Sequence, residues 1–107
     1  MHLPAVVTKL VEVQNNFDSE AYTACFAEAA IVHDEGKTHQ GKAEIQQWIE
    51  HSNQAYQATM KPLTFEENVT GSLLTAEIAG NFPGSPAVLR FHLTLENDLI
   101  TSLKVTG

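Results

Sequence analysis

The sequence predicts one α+β domain, in which helices cover one face of a curved, mainly antiparallel sheet. Before Pro62, apolar residues recur at helical spacing in three segments, and after Pro62 they alternate with polar residues at a spacing of two. The apolar face of that sheet needs a cover, and the helices are the only cover that the chain offers. A chain of 107 residues has room for one core, so residues 1–107 are predicted to form a single domain.

Three helices are predicted in the first half of the chain. The first spans residues 3–16 with Pro4 in its first turn, and the second is short and begins after a capping Asp18. The third runs from about residue 42 to about residue 57. The apolar stripe of the first helix is Leu3, Val6, Val7, Leu10 and Val11. One side of the second carries Tyr22, Cys25 and Phe26, and the stripe of the third is Ile45, Trp48, Ile49, Ser52 and Tyr56.

Five strands are predicted, and four of them follow Pro62. Residues 29–34 form the early strand, and the polar residues 35–41 after it form a loop or a tight hairpin. The later strands cover about residues 63–69, 74–82, 87–96 and 99–106, with turns at residues 83–86 and 97–98. Glu67 breaks the alternation, which indicates a bulge or an exposed strand end. In the last strand the inward set is either Leu99, Leu103 and Val105 or the set that contains Ile100.

Charge and composition exclude several classes of protein. Asp and Glu number 13 against six Lys and Arg, which are scattered along the chain, so the net charge is -7. Nucleic acids and anionic membrane surfaces need clustered positive charge, and we expect neither as a partner. No apolar run reaches the ~18 residues of a membrane span. The first residues lack the basic segment of a secretory signal, so we expect a cytoplasmic protein.

Two motifs suggest chemistry that the surrounding residues do not support. Residues 36–42 have the spacing of a phosphate-binding loop, but Ala43 stands where that motif needs a Ser or Thr to hold magnesium. The five histidines form no metal-binding motif, and Cys25 is the only cysteine. The sequence therefore predicts no metal and no cofactor.

Asp34 is the residue that points most directly to chemistry. It ends an apolar strand and by alternation shares a face with Ala30 and Val32, which should face the interior. A partly desolvated carboxylate there would have a raised pKa and could act as a general base near neutral pH. The alternative is that Asp34 lies at an exposed strand end and caps the following turn.

The same region resembles a known superfamily. The matching stretches are Phe26-Ala27-Glu28-Ala29-Ala30-Ile31-Val32-His33-Asp34-Glu35-Gly36 and Thr38-His39-Gln40-Gly41-Lys42-Ala43-Glu44-Ile45-Gln46-Gln47-Trp48. They are similar to the signature of the nuclear-transport-factor-2-like superfamily, and in particular of SnoaL-like polyketide cyclases and ketosteroid isomerases. The resemblance implies a cone-shaped mixed sheet wrapped around one long helix, with a pocket at the wide end, and it implies a homodimer.

The resemblance also assigns roles to single residues. Asp34 matches the general base of ketosteroid isomerases, and Trp48 matches a position that lines the pocket in these relatives. The two oxyanion-hole positions of those isomerases fall on Leu10 and Phe91, which are apolar here. Losing such donors typically costs ~2.7–4 kcal/mol each, so the resemblance does not extend to steroid isomerisation.

Two functions therefore remain open after the sequence analysis. In the first, Asp34 abstracts a proton α to a carbonyl, with Tyr22 or His39 as candidate hydrogen-bond donors. In the second, which the missing donors favour, the chain is a non-catalytic module that binds a small hydrophobic molecule or dimerises. The expected pocket lining is Leu10, Trp48, Phe65, Ile78 and Phe91.

A homodimer is expected through the outer face of the sheet. The residues of that face on the third late strand are Val88, Arg90, His92 and Thr94. If Leu99, Leu103 and Val105 also point outward, they complete an apolar patch there, and contiguous apolar patches usually mark interfaces.

Overall fold

The fold is that of the predicted class, with three helices and a six-stranded mixed sheet. The computed structural model describes all of residues 1–107. The helices are α1 (Ala5–Asn15), α2 (Ser19–Ala24) and α3 (Gly41–Tyr56). The strands are β1 (Phe26–Asp34), β2 (Lys37–Gln40), β3 (Thr59–Asn68), β4 (Gly71–Ala79), β5 (Ala87–Glu96) and β6 (Leu99–Thr106). None of the helices has the length and apolar character needed to cross a membrane.

The sheet has the strand order β2-β1-β6-β5-β4-β3. Only β1 and β6 run parallel, and all other neighbours are antiparallel. The β1–β2 connection is a two-residue turn, in which Glu35 and Gly36 have φ values of 52° and 74°. Of the two predictions for this segment, the tight hairpin is therefore the one that forms. It pairs Gln40, just before α3, with Ile31, and it leaves Asp34 at the turn end of the hairpin.

One prediction about β3 was wrong, and one of two alternatives for Glu67 holds. We expected Pro62 to precede the strand, but Pro62 lies inside it, because β3 is an edge strand where the missing N–H leaves no ladder partner unpaired. The register shift lies between Pro62 and Thr64 and not at Glu67, which pairs regularly with Ser72. Glu67 is exposed near the end of the strand, as the second of the two alternatives predicted.

The inward face of β6 switches along the strand. Thr94 pairs with Ser102 and the next residue, Leu95, pairs with Ile100, so Thr101 is an extra residue on β6. This bulge places both Ile100 and Leu103 in the core, where neither is exposed. The possible outward set of Leu99, Leu103 and Val105 is therefore wrong, and the outer face lacks the apolar patch that it would have supplied.

The core lies between the helices and one face of the sheet. Phe26 is its largest fully buried side chain, and its ring centroid lies 5.6 Å from that of Tyr22. Cys25 is buried beside them, its thiol donates to the carbonyl oxygen of Ala21 at 3.6 Å, and burial raises the pKa of that thiol. A raised pKa keeps the thiol protonated, so Cys25 is a poor nucleophile.

Candidate functional site

A cavity of about 420 Å³ lies between the helices and the inner face of the sheet. Most of its lining is apolar or aromatic, and its polar groups are concentrated near the end of β1 and on α1 and α3. The lining consists of Gln14, Tyr22, Asp34, Glu35, Trp48, Ile49, Ser52, Tyr56, Ala58, Thr59, Met60, Ile78, Phe82, Pro83, Leu89, Phe91 and Val105. The volume is in the range of ~300–1,000 Å³ that is usual for small-molecule sites.

Asp34 lies in the wall of this cavity and is held in place by an indole. The Trp48 Nε1–H donates to Asp34 Oδ2 at 3.1 Å, which joins the end of β1 to α3. Burial raises the pKa of the Asp34 carboxyl above its usual value, and the neighbouring Glu35 carboxylate raises it further. The Trp48 hydrogen bond, the nearby His39 and the Glu35 backbone N–H oppose that rise in pKa. The structure thus places Asp34 on the inner side of the strand, as the alternation from Ala30 and Val32 predicts.

Tyr22 brings a phenol to the same cavity. Its side chain is only 3% exposed, its ring packs against Phe26 and Trp48, and its hydroxyl has no hydrogen-bond partner in the protein. No fully buried side-chain oxygen lacks a partner, so the accessible part of the hydroxyl faces the cavity. Burial raises the pKa of Tyr22 well above its usual value, and Cys25 and Asp34 add to this. The phenol therefore remains a neutral hydrogen-bond donor.

A buried amide network reaches the cavity wall at Gln14. Gln14 Nε2 donates to Asn53 Oδ1 at 3.1 Å and to the Ala58 carbonyl oxygen at 2.7 Å. Asn53 Nδ2 in turn donates to Ser19 Oγ at 2.8 Å. These bonds join α1, α3 and the start of α2 to the chain that enters β3. They leave Gln14 Oε1 without a partner in the protein, and because Gln14 lines the cavity, this oxygen faces it.

A second, polar pocket of about 570 Å³ adjoins the first and shares five lining residues with it, namely Asp34, Glu35, Trp48, Ser52 and Tyr56. His39 lies in this outer pocket, where its ring stacks on Trp48 with 5.7 Å between the ring centroids. The pocket also contains Lys37, Glu44 and His51. Its acidic and histidine side chains do not come together in any group of three or more that could hold a metal ion.

The structure brings together only some of the residues that the sequence singled out. Tyr22, Asp34, Trp48, Ile78 and Phe91 line the cavity, and His39 lies at its polar side. Leu10 is fully buried in the core and Phe65 packs against the core, so neither lines the cavity.

Several lining residues were missed from the sequence. They are Gln14, Glu35, Ser52, Tyr56, Phe82 and Leu89 among others. One signal could have found Gln14, because it lies four residues after Leu10 and so places a polar group on the buried stripe of α1.

Replacement of Asp34 by Asn should stabilise the protein at about pH 8 but not at about pH 3. A carboxyl whose pKa is raised on folding resists ionisation, so it costs stability once the pH exceeds its folded pKa. Below a pH of ~3.9, the pKa of an unfolded Asp, the carboxyl is protonated in both the folded and the unfolded state, and this cost disappears. Across this range, the Tm of Asp34→Asn should therefore exceed the Tm of the parent protein by a margin that grows as the pH rises. Asp98→Asn, at an exposed turn, controls for the loss of one negative charge. A difference that does not depend on pH would contradict the desolvation of Asp34.

Solved structures of the same architecture include one that is also similar in sequence. A candidate polyketide cyclase from Sinorhizobium meliloti is 31% identical to this chain, with a TM-score of 0.92 over 97% of this chain and 95% of that chain. A protein with a ketosteroid isomerase-like fold from Catenulispora acidiphila, in complex with trimethylamine, is 18% identical, with a TM-score of 0.87 over 99% and 87% of the two chains. A protein from Cytophaga hutchinsonii described as NTF2-like and of unknown function is also 18% identical, with a TM-score of 0.78 over 94% and 85%. No protein-family model and no curated protein matches the sequence.

Proposed function

This chain belongs to the nuclear-transport-factor-2-like, or SnoaL-like, superfamily, and on that premise we propose that its cavity binds a small, largely apolar molecule. The observation that carries the proposal is the cavity itself, which has about 420 Å³ of space and a mainly apolar and aromatic wall. Burial of apolar ligand surface in such a wall contributes ~25 cal/mol per Å² before the costs of association. The trimethylamine bound to the relative from Catenulispora acidiphila also supports a small-ligand site in this fold.

A thermal-shift screen against small aromatic and carbonyl compounds would test the proposal. A compound that binds only the folded state stabilises it, by ~2.7 kcal/mol when its concentration is 100 times Kd, and so raises Tm. The variant Ser52→Trp places a large side chain into the cavity, and Gln54→Trp places the same side chain on an exposed position of the same helix. We expect the Tm shift to be lost in Ser52→Trp and kept in Gln54→Trp. Equal shifts in both variants, or none in the parent protein, would reject this site.

A second candidate function is general-base catalysis by Asp34. The observation in its favour is that Trp48 occupies Asp34 Oδ2 while the neutral phenol of Tyr22 faces the same cavity. In this reaction the carboxylate takes a proton from the carbon next to a carbonyl group. The carbonyl oxygen then carries the negative charge, and Tyr22 donates a hydrogen bond to it.

Hydrogen–deuterium exchange would test this second function. In D₂O, the α-protons of a cyclic ketone should exchange faster in the presence of the protein, as followed by proton NMR. General-base catalysis typically contributes ~10²–10⁴-fold, so Asp34→Asn should remove the acceleration and Tyr22→Phe should reduce it. An acceleration that survives Asp34→Asn would rule out this role for Asp34.

A homodimer through the outer face of the sheet completes the proposal. Val88 is 46% exposed on this face. Glu77 of β4 pairs with Val88 of β5, and Arg90 belongs to the neighbouring β4–β5 pair on the same face. A twofold axis there would bring these opposite charges of the two copies together. Light scattering at micromolar concentration should then give twice the 11.7 kDa of one chain. Val88→Glu should give the monomer mass, while Val69→Glu, at an exposed turn, should not change the dimer. A monomer mass for the parent protein would reject the dimer.

A further inference from the structure

The side-chain N–H donors of the cavity wall are already used within the protein. Among the lining residues, only Gln14 and Trp48 carry side-chain N–H groups. Both hydrogens of Gln14 Nε2 are donated, one to Asn53 Oδ1 and one to the Ala58 carbonyl oxygen. The single indole N–H of Trp48 is donated to Asp34. The wall therefore offers a ligand no side-chain N–H.

The acceptors of the same wall are, in contrast, free. Gln14 Oε1 accepts no hydrogen bond from the protein, although Gln14 is only 9% exposed. Trp48 engages Oδ2 of Asp34, and Oδ1 accepts no hydrogen bond from another side chain. Glu35 adds a second carboxylate at the mouth, and no lysine, arginine or histidine lines this cavity. An anion would meet two carboxylates and no positive charge or free side-chain N–H, and neutral hydroxyls such as that of Tyr22 do not offset this repulsion, which costs affinity.

The aromatic part of the wall has the same preference. Five aromatic side chains surround the cavity, and two pairs of them are in contact, with Tyr22 and Trp48 6.1 Å and Tyr56 and Phe82 6.1 Å apart between ring centroids. The fifth is Phe91. The faces of such rings carry partial negative charge and attract organic cations, most strongly where water is excluded.

We infer that the ligand of this cavity is a small organic ammonium ion with an apolar body. The inference rests on the proposed binding function and names the ligand class. The apolar body lies against the aromatic and aliphatic wall, and the charged nitrogen lies near Asp34 and Glu35. Gln14 Oε1 is a further acceptor for a donor group elsewhere on the ligand. A net charge of -7 on the chain raises the local concentration of cations and favours the same ligand class.

A pair of probes that differ in charge but not in shape tests the inference. Choline and 3,3-dimethylbutan-1-ol have the same hydroxyethyl arm, and they differ only in a quaternary nitrogen in place of a carbon. In calorimetry at about pH 8, the Kd of choline should be lower than that of the alcohol by about tenfold or more. The emission of Trp48, the only tryptophan, should change on binding and so locate the probe in the cavity. Asp34→Asn should raise the Kd of choline at least about tenfold without changing the Kd of the alcohol. Asp98→Asn should leave both Kd values unchanged.

The outcomes separate the inference from the proposed function. Equal affinity for the two probes, or choline binding that survives Asp34→Asn and leaves Trp48 emission unchanged, would overturn the ammonium assignment. If neutral compounds of the thermal-shift screen bind in the cavity and neither choline nor benzyltrimethylammonium does, the ammonium assignment fails and the binding function stands. If no neutral or charged compound binds, both fail.

Discussion

Replacement of Phe26 by alanine should lower the free energy of unfolding by about 3–5 kcal/mol, the range for large buried aromatic residues. Phe26 is the largest fully buried side chain, it begins β1, and it pairs with Ile100 of β6 across the parallel step of the sheet. Its ring also supports Tyr22, whose phenol faces the cavity. Domains of this size are usually stable by only ~5–15 kcal/mol, so the variant should lose much of its stability. Urea unfolding followed by circular dichroism gives the difference.

Phe17→Ala is the matched control for this prediction. Phe17 is 42% exposed and lies in the loop between α1 and α2, so the same truncation should change the unfolding free energy by less than about 1 kcal/mol. Similar losses at the two positions would show that Phe26 does not anchor the core.

The late strands were predictable because several local signals agree there. Asn97 and Asp98 form the predicted turn, in which both have positive φ values of 52° and 64°, and β6 has the bounds that the alternation predicts. Alternation alone could not place the bulge at Thr101, because a bulge depends on pairing with β5. For the same reason Pro62 was misjudged: only the strand order shows that β3 is an edge.

The candidate site was predictable only where one element carries its own signal. Alternation along β1 places Asp34 inward, and helical spacing places Trp48 on the inner side of α3, so both fall in the cavity wall. Leu10 and Phe65 face inward by the same rules, but periodicity does not distinguish the packed core from an open cavity. Glu35, Tyr56 and Phe82 come from separate chain segments that only the tertiary fold brings together.

Gln14→Leu should lower the free energy of unfolding by about 1–3 kcal/mol, although leucine buries more apolar surface. The Gln14 amide supplies donors to Asn53 Oδ1 and to the Ala58 carbonyl oxygen, and its removal leaves these buried acceptors without that partner. Since a buried polar group without a partner keeps its full desolvation cost, the larger apolar side chain does not compensate. Urea unfolding of the variant and the parent protein measures the loss.

A double-mutant cycle shows whether this loss comes from the amide pair. In Gln14→Leu with Asn53→Leu both members of the buried pair are gone, so the combined loss should be smaller than the sum of the single losses by about 0.5–3 kcal/mol. The same substitution at an exposed pair is the control. Gln46 Nε2 donates to Glu50 Oε1 at 2.9 Å on the outside of α3, where water can replace either partner. Gln46→Leu should therefore change stability by only about 0.5 kcal/mol. Strictly additive losses at Gln14 and Asn53 would mean that their hydrogen bond does not stabilise the joint between α1 and α3, and that other contacts form this part of the cavity wall.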